Sequence, residues 1–267
     1  MSIRSALFAL TCIAAATLAR ADGAAPWIDD QALIKETVGA VRTGGILAVE
    51  KYRDRLELAL AGAKQSIDLA GSQRPISFVL ADGLAETIVA SGLAVSRKAG
   101  AKSFATLENP YPEIGFYLAS YYDETGKPAE ALRVVALGLA ASVVPDLDLG
   151  SDRRMLLVER GAALMALRRW QDVLDNEDRA LKIDDLDNPV KARLYRGRGY
   201  ALTEQGKLDD AEDAYRESLN LDPGSELAKN ELRYIAGLKL GAAPSAPGNL
   251  TKVQKTAPDA APQGTAP

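Results

Sequence analysis

The chain has 267 residues, with 32 basic and 36 acidic side chains, a net charge of −4, one cysteine and no histidine. Without histidine it has no Ser-His or Cys-His nucleophile and no His/Cys zinc site. The acidic balance argues against a nucleic-acid surface and against an anionic-lipid surface.

Residues 1–21 have the layout of a cleaved secretory signal peptide. Arg4 is followed by an apolar run of 14 residues from Ala6 to Ala19, closed by Ala19-Arg20-Ala21. The run is short for a bilayer span, which needs about 20 helical residues; the alternative is an uncleaved N-terminal anchor. Cleavage removes Cys12, Arg4 and Arg20, leaving 30 basic residues against 36 acidic ones, a net of −6, and no cysteine. No later apolar run is long enough to cross a membrane.

Residues 22–105 read as an N-terminal helical region without a convincing repeat. Helices are expected over 28–41, 46–70 and 79–95, the last with Leu80, Leu84, Ile88 and Leu93 along one side. Pro75 and Asn109-Pro110-Tyr111-Pro112 interrupt the pattern. The region is either one or two decayed repeats or a separate cap, and helices continuous with the segment after residue 105 are favoured.

Residues 106–240 are periodic. From Gly199, Gly206 lies seven residues on, Ala211 twelve and Pro223 twenty-four. The same ruler at Ala119 meets Gly126, Ala131 and Val143, and at Gly161 meets Arg168, Val173 and Asp185. The small residues Ala119, Gly161 and Gly199 let a second helix cross closely, with Ala131 and Ala211 as the facing contacts. Tyr195, Leu202 and Tyr215 fill the wedge around the crossing at helical spacing. Gly126 and Gly206 sit in Glu-Thr-Gly-Lys and Glu-Gln-Gly-Lys, where a left-handed residue ends a helix without steric cost. Pro128 suits the first turn of the next helix.

These residues resemble the tetratricopeptide repeat family, whose period is about 34 residues. The resemblance covers residues 112–145, 154–187 and 192–225, most strongly in Gly199-Tyr200-Ala201-Leu202, Ala211-Glu212-Asp213-Ala214-Tyr215 and Leu219-Asn220-Leu221-Asp222-Pro223. It implies an all-α fold, an α-solenoid of tetratricopeptide-type helix pairs. Residues 226–240, apolar on one face and charged on the other, supply a C-terminal capping helix. Two departures stand out. The spacing is 42 residues from Ala119 to Gly161 and 38 from Gly161 to Gly199, with insertions at 142–152 and 185–191. The second repeat also carries Arg168 and Val173 where its neighbours have glycine and alanine.

In such an array one face of each first helix packs on its partner and the opposite face lines a concave groove. By offset from the packing face, the groove residues are Phe116, Ser120 and Asp123; Met155, Val158 and Ala162; and Arg193, Arg196, Tyr200 and Thr203. Arg193 or Arg196 would pair with a carboxylate of an extended or helical peptide; the alternative is that both face solvent. Some family members clamp a C-terminal carboxylate with lysines and asparagines. This chain has Phe116, Ser120 and Glu159 where several of those would sit, so that activity is not carried over.

Asp175, Glu177 and Asp178, and Asp184, Asp185 and Asp187, read as a solvated helix end and linker rather than as acid and base. Asp146 to Asp152 is a poor match to a calcium loop: Gly150 comes one place early, and Leu156 stands where the glutamate belongs. No cofactor or metal is expected. The tail, 241–267, holds five prolines and seven alanines and is expected to be disordered.

The expected function is a non-enzymatic protein- or peptide-binding scaffold or adaptor of the bacterial cell envelope, periplasmic or secreted, with a protein or peptide partner. It would have no nucleic-acid ligand and no membrane span after signal cleavage. The alternative is a cell-wall or polysaccharide-associated factor, suggested by export, acidic patches and the Pro/Ala tail. No residue pattern sets an oligomeric state.

Overall fold

The computed structural model describes residues 25–73, 76–96, 103–142, 151–183 and 186–244. The expected signal segment (1–21), most of the calcium-like loop (146–150) and the tail from 245 onward lie outside the described residues.

The N-terminal region is not uniformly helical. Helix α1 (Pro26–Gly44) is followed by a 3-10 turn (Ile46–Lys51), α2 (Arg53–Ala61) and α3 (Ala63–Ser72). The single helix expected over 46–70 is therefore divided. Strand β1 (Ile76–Ala81) comes next, then α4 (Gly83–Ser96) and strand β2 (Ser103–Glu108), which pairs parallel with β1 from Ile76↔Ser103 to Ala81↔Glu108. The helix expected over 79–95 is corrected accordingly: Val79 and Leu80 belong to a strand. Phe78, Val79, Leu80 and Ala81 are all buried. A short apolar run buried on both faces is the mark of a parallel strand, and it mimics helical spacing when only every fourth residue is counted. Leu84 and Ile88, on the helix that remains, are 76% and 64% exposed.

From Tyr111 the chain is a series of helix pairs: α5 (Tyr111–Glu124) with α6 (Pro128–Ala140), α7 (Ser151–Ala166) with α8 (Trp170–Ala180), and α9 (Asn188–Glu204) with α10 (Leu208–Leu221). Helix α11 (Glu226–Lys239) packs on α10 and closes the array. Each second helix packs on the first helix of the next pair, and α5, α7 and α9 lie side by side. The fold is thus an α-helical solenoid preceded by helices that carry one small parallel sheet.

The three tight turns share one backbone device. Gly126 and Gly206 have φ of 71° and 74°, and Arg168 adopts 55° at the equivalent place. In each, the next amide reaches back into the last turn: Lys127 to Tyr122, Arg169 to Leu164 and Lys207 to Leu202, at 2.8, 3.0 and 2.9 Å. These bonds satisfy carbonyls that the helix end leaves open. The seams depend on small residues. A Cβ on Gly115 would lie 3.2 Å from the Gly138 Cα, and one on Gly199 would lie 2.8 Å from the Tyr215 ring.

One core joins the N-terminal region to the first pair, running from Trp27, Leu56, Leu60 and Leu80 to Tyr111, Ile114, Leu118 and Val134. Tyrosines reinforce the joint. Tyr111 donates to Asp30 at 2.9 Å, Tyr122 donates to Glu57 at 2.6 Å, and Tyr121 donates to Glu50. The sheet reaches further. The Asp82 carboxylate, at the end of β1, accepts from the amides of Asp152 and Arg153 at 3.1 and 3.2 Å, and so caps the start of α7. Asn109 donates to the carbonyl of Ala141 at 2.7 Å, tying the end of β2 to the end of α6. A second core links α8, α9, α10 and α11 through Val173, Ala201, Leu202, Tyr215, Ala228 and Ile235.

Candidate functional site

The candidate site is the face formed by α5, α7 and α9. Phe116 and Ser120 on α5 and Met155 and Ala162 on α7 are half-buried and Arg193 on α9 is exposed, whereas half-buried Tyr200 turns toward Trp170 of the second helix α8. Phe116 lies edge-on to Tyr117 at 5.2 Å, and Tyr200 lies edge-on to Trp170 at 5.6 Å.

Three of the residues expected in the groove are employed elsewhere. Val158 is buried and belongs to a small core with Leu157, Ala180, Leu186 and Leu194. Its apolar side chain gains more from that cluster than from a half-solvated face. Arg196 donates to Ser218 at 3.3 Å and to Asp222 at 3.2 Å, which ties α9 to the end of α10. Its charge is answered inside the repeat, so pairing with a ligand carboxylate does not hold for Arg196. Thr203 turns back on its own helix and donates to the carbonyl of Gly199 at 2.9 Å.

What the fold brings together is a polar ladder across the three first helices. Ser120 on α5 lies near the Glu159 carboxylate on α7 and favours its ionised form, and Arg193 on α9 approaches the same carboxylate at 3.7 Å. Asp123, one turn beyond Ser120, has its Oδ2 buried without a hydrogen-bond partner among the described residues. Burial is the main influence on all these acids. It pushes the Asp123 carboxyl up to about 7, aided by the nearby Glu159 and opposed by Arg193. It also raises Glu159, against the pull of Arg193 and Ser120. Arg193 therefore already has carboxylates to answer within the chain.

Glu177 was expected to be solvated, and the structure corrects this. It is 2% exposed and lies under the seam of α7 and α9. A Cβ on Gly161 would collide with Glu177 Oε1, and one on Gly197 would come within 2.9 Å of it. Two glycines on adjacent helices thus make the slot for this carboxylate. Its Oε2 has no hydrogen-bond partner among the described residues. Burial pushes its carboxyl up to about 8, with Arg193 pulling the other way. The signal was present in the repeat ruler one mark further on: sixteen residues past Gly199 is Tyr215, past Ala119 is Val135, and past Gly161 is Glu177. An acid occupies the place where the neighbouring repeats bury an apolar or aromatic wedge.

A separate cleft of about 700 Å³ runs between the second helices α6 and α8, with Leu132, Val135 and Leu139 on one wall and Arg160, Arg169 and Arg179 around it. Arg169 is held by Asp172 at 2.7 Å. Among the described residues no group of three or more acidic, histidine or cysteine side chains could hold a metal ion. In the same residues no helix is long and apolar enough to cross a membrane.

Residues 192–225, the third helix pair and its closing turn, match the family model described as Tetratricopeptide repeat. Compared by sequence with curated proteins, the chain matches none. Among solved structures it is similar to the NMR structure of the first TPR domain of the human RPAP3 protein, with 22% identity and a TM-score of 0.42, covering 49% of this chain and 93% of that one.

Proposed function

We propose that this protein is a non-enzymatic binding scaffold that holds a protein or peptide segment along the face of α5, α7 and α9. The observation that carries this reading is the line of Ser120, Glu159 and Arg193 across three successive first helices, in which exposed Arg193 approaches the buried Glu159 carboxylate at 3.7 Å. Half-buried Phe116, Met155 and Ala162 flank that strip. A strip of this kind suits an extended segment, with apolar contacts for area and charged contacts for register. The composition of residues 1–21 supports placing the protein in the bacterial periplasm or secreted space.

The test is crosslinking capture from the cell envelope, using the full chain, an Ala162→Trp variant that fills the strip and an Arg193→Glu variant. A protein captured by the native chain and lost with both variants, while circular dichroism stays helical, is the expected result. Capture that survives Ala162→Trp rules out this face. Retention on purified cell wall that ignores both substitutions favours a polysaccharide-associated role instead. Mass spectrometry of the envelope-derived chain checks location: the expected N-terminus lies just after Ala21.

A further inference from the structure

The cleft between the second helices α6 and α8 has one apolar wall and a reversed charge. Leu132, Val135 and Leu139 recur at three- and four-residue spacing, so a single stripe of α6 forms that wall. Val135 is buried, and Leu132 and Leu139 are half-buried. Arg160 enters from α7, half-buried, and among the described residues its side chain has neither a hydrogen bond nor an ion pair. Arg169, just before α8, and Arg179, near its end, are both exposed. They stand ten residues apart, which is about 15 Å along a helix. Arg169 engages Asp172 through its Nε at 2.7 Å, which leaves the terminal nitrogens of a five-donor guanidinium. Among the described residues no acidic side chain lines the cleft. In a chain with more acidic than basic side chains, three reachable arginines without an acid are a local reversal of sign.

We infer that this cleft is a second docking site, separate from the face of α5, α7 and α9, and that it holds a short extended segment of a partner protein with an acidic residue at each end of an apolar stretch. Charge complementarity sets the ends, because arginine pairs a carboxylate through two parallel hydrogen bonds. The α6 stripe sets the middle, where apolar side chains cover Leu132, Val135 and Leu139. An extended chain rises about 3.3 Å per residue, so about five or six residues bridge the distance from Arg169 to Arg179. The cavity volume, about 700 Å³, lies in the ordinary range for a bound ligand. Arg160, on the third side, offers donors to the carbonyl groups that an extended backbone leaves open. Cations at both ends favour a segment with two acids over an amphiphile with one charged head, which would answer one end alone.

The test is fluorescence anisotropy on the full chain with labelled peptides built on Asp-Leu-Ala-Ala-Leu-Asp. This peptide is expected to bind about tenfold more tightly than its counterpart with Asn at both ends, with the Lys counterpart weakest. Arg160→Gln should remove most of that preference, and Ala136→Trp, which fills the cleft from α6, should abolish binding. Ala162→Trp, on the other face, and Arg233→Gln, an exposed arginine of α11, should leave binding unchanged. The peptide series on the native chain stands even if a variant fails to fold. Equal affinity for the Asp and Asn peptides would overturn the inference. Equal loss with Arg233→Gln would reduce the effect to net charge and overturn it as well. Loss with Ala162→Trp and not with Ala136→Trp would place the peptide on the first face, which sinks the second site and leaves the proposed function standing. Dodecanoate that binds more tightly than the Asp peptide and displaces it would assign the cleft to an anionic amphiphile and overturn a peptide occupant. Tighter peptide binding after Asp146→Asn with Asp148→Asn would assign the cleft to the chain's own connection between α6 and α7 and overturn a partner occupant.

Discussion

The Glu177 carboxylate is closed off from solvent inside the fold, with 2% of the residue exposed. An acid near a helix end reads as solvated, yet this one lies in a slot cut by Gly161 and Gly197 on two other helices. Its consequence is a pH dependence of known sign. Its folded-state value, about 8, lies above the ordinary 4.5, so the folded chain holds the proton more tightly than the unfolded one. The contribution to stability is complete below the ordinary value and is lost as pH rises through the raised one. Asp123 and Asp152, both pushed from 3.8 up to about 7, act in the same direction. The melting temperature is therefore expected to fall between about pH 5 and pH 8.5. Glu177→Gln should recover about 1–3 kcal/mol at the alkaline end and little at the acid end, as read by urea titration at both pH values. A flat profile for the native chain would mean that Glu177 is solvated after all.

At the scale of elements, the turns and seams were legible because backbone geometry leaves few residue choices. The ruler marked Gly126, Arg168 and Gly206 as equivalent, and the structure gives all three the same left-handed turn. Arg168 adopts it at a cost, since a side chain there clashes with the following carbonyl. Arg168→Gly should stabilise the chain by about 0.5–1 kcal/mol in chemical denaturation, with an unchanged helical signal. The opposite is expected at the third seam. Gly199→Ala places a methyl 2.8 Å from the buried Tyr215 ring, a cost of about 1–3 kcal/mol that outweighs the gain in helix propensity. A neutral or stabilising result would show that Tyr215 can move aside. Strand β1 was not legible, because six residues with apolar side chains at several spacings satisfy a helical template as well as a strand. Pairing with β2 decides between them, and the partner lies 27 residues away along the register.

At the scale of the molecule, the array does not begin cleanly where its periodicity does. The core that holds Tyr111, Ile114 and Leu118 also holds Trp27, Leu56, Leu60 and Leu80. A fragment of residues 106–240 would leave those first-pair side chains without their cover. It is expected to melt well below the full chain and to bind a hydrophobic dye, and cooperative melting near the native midpoint would contradict a shared core. Asp82 ties the same region to α7 by capping its amides across 70 positions in sequence. Asp82→Ala should cost about 1–2 kcal/mol, with hydrogen exchange accelerated at the start of α7.

The sequence by itself determined the helix-pair array, its turns, its seams and its closing helix. These depend on contacts within about 34 residues, and the repeat states them more than once. Only the tertiary structure decided how the charges are used. Whether the charge of Arg196 is answered within its own repeat, whether Glu177 is wet or buried, and which strand end caps α7 all depend on elements brought together from distant positions. Sequence spacing records where a side chain starts, and packing determines what it meets.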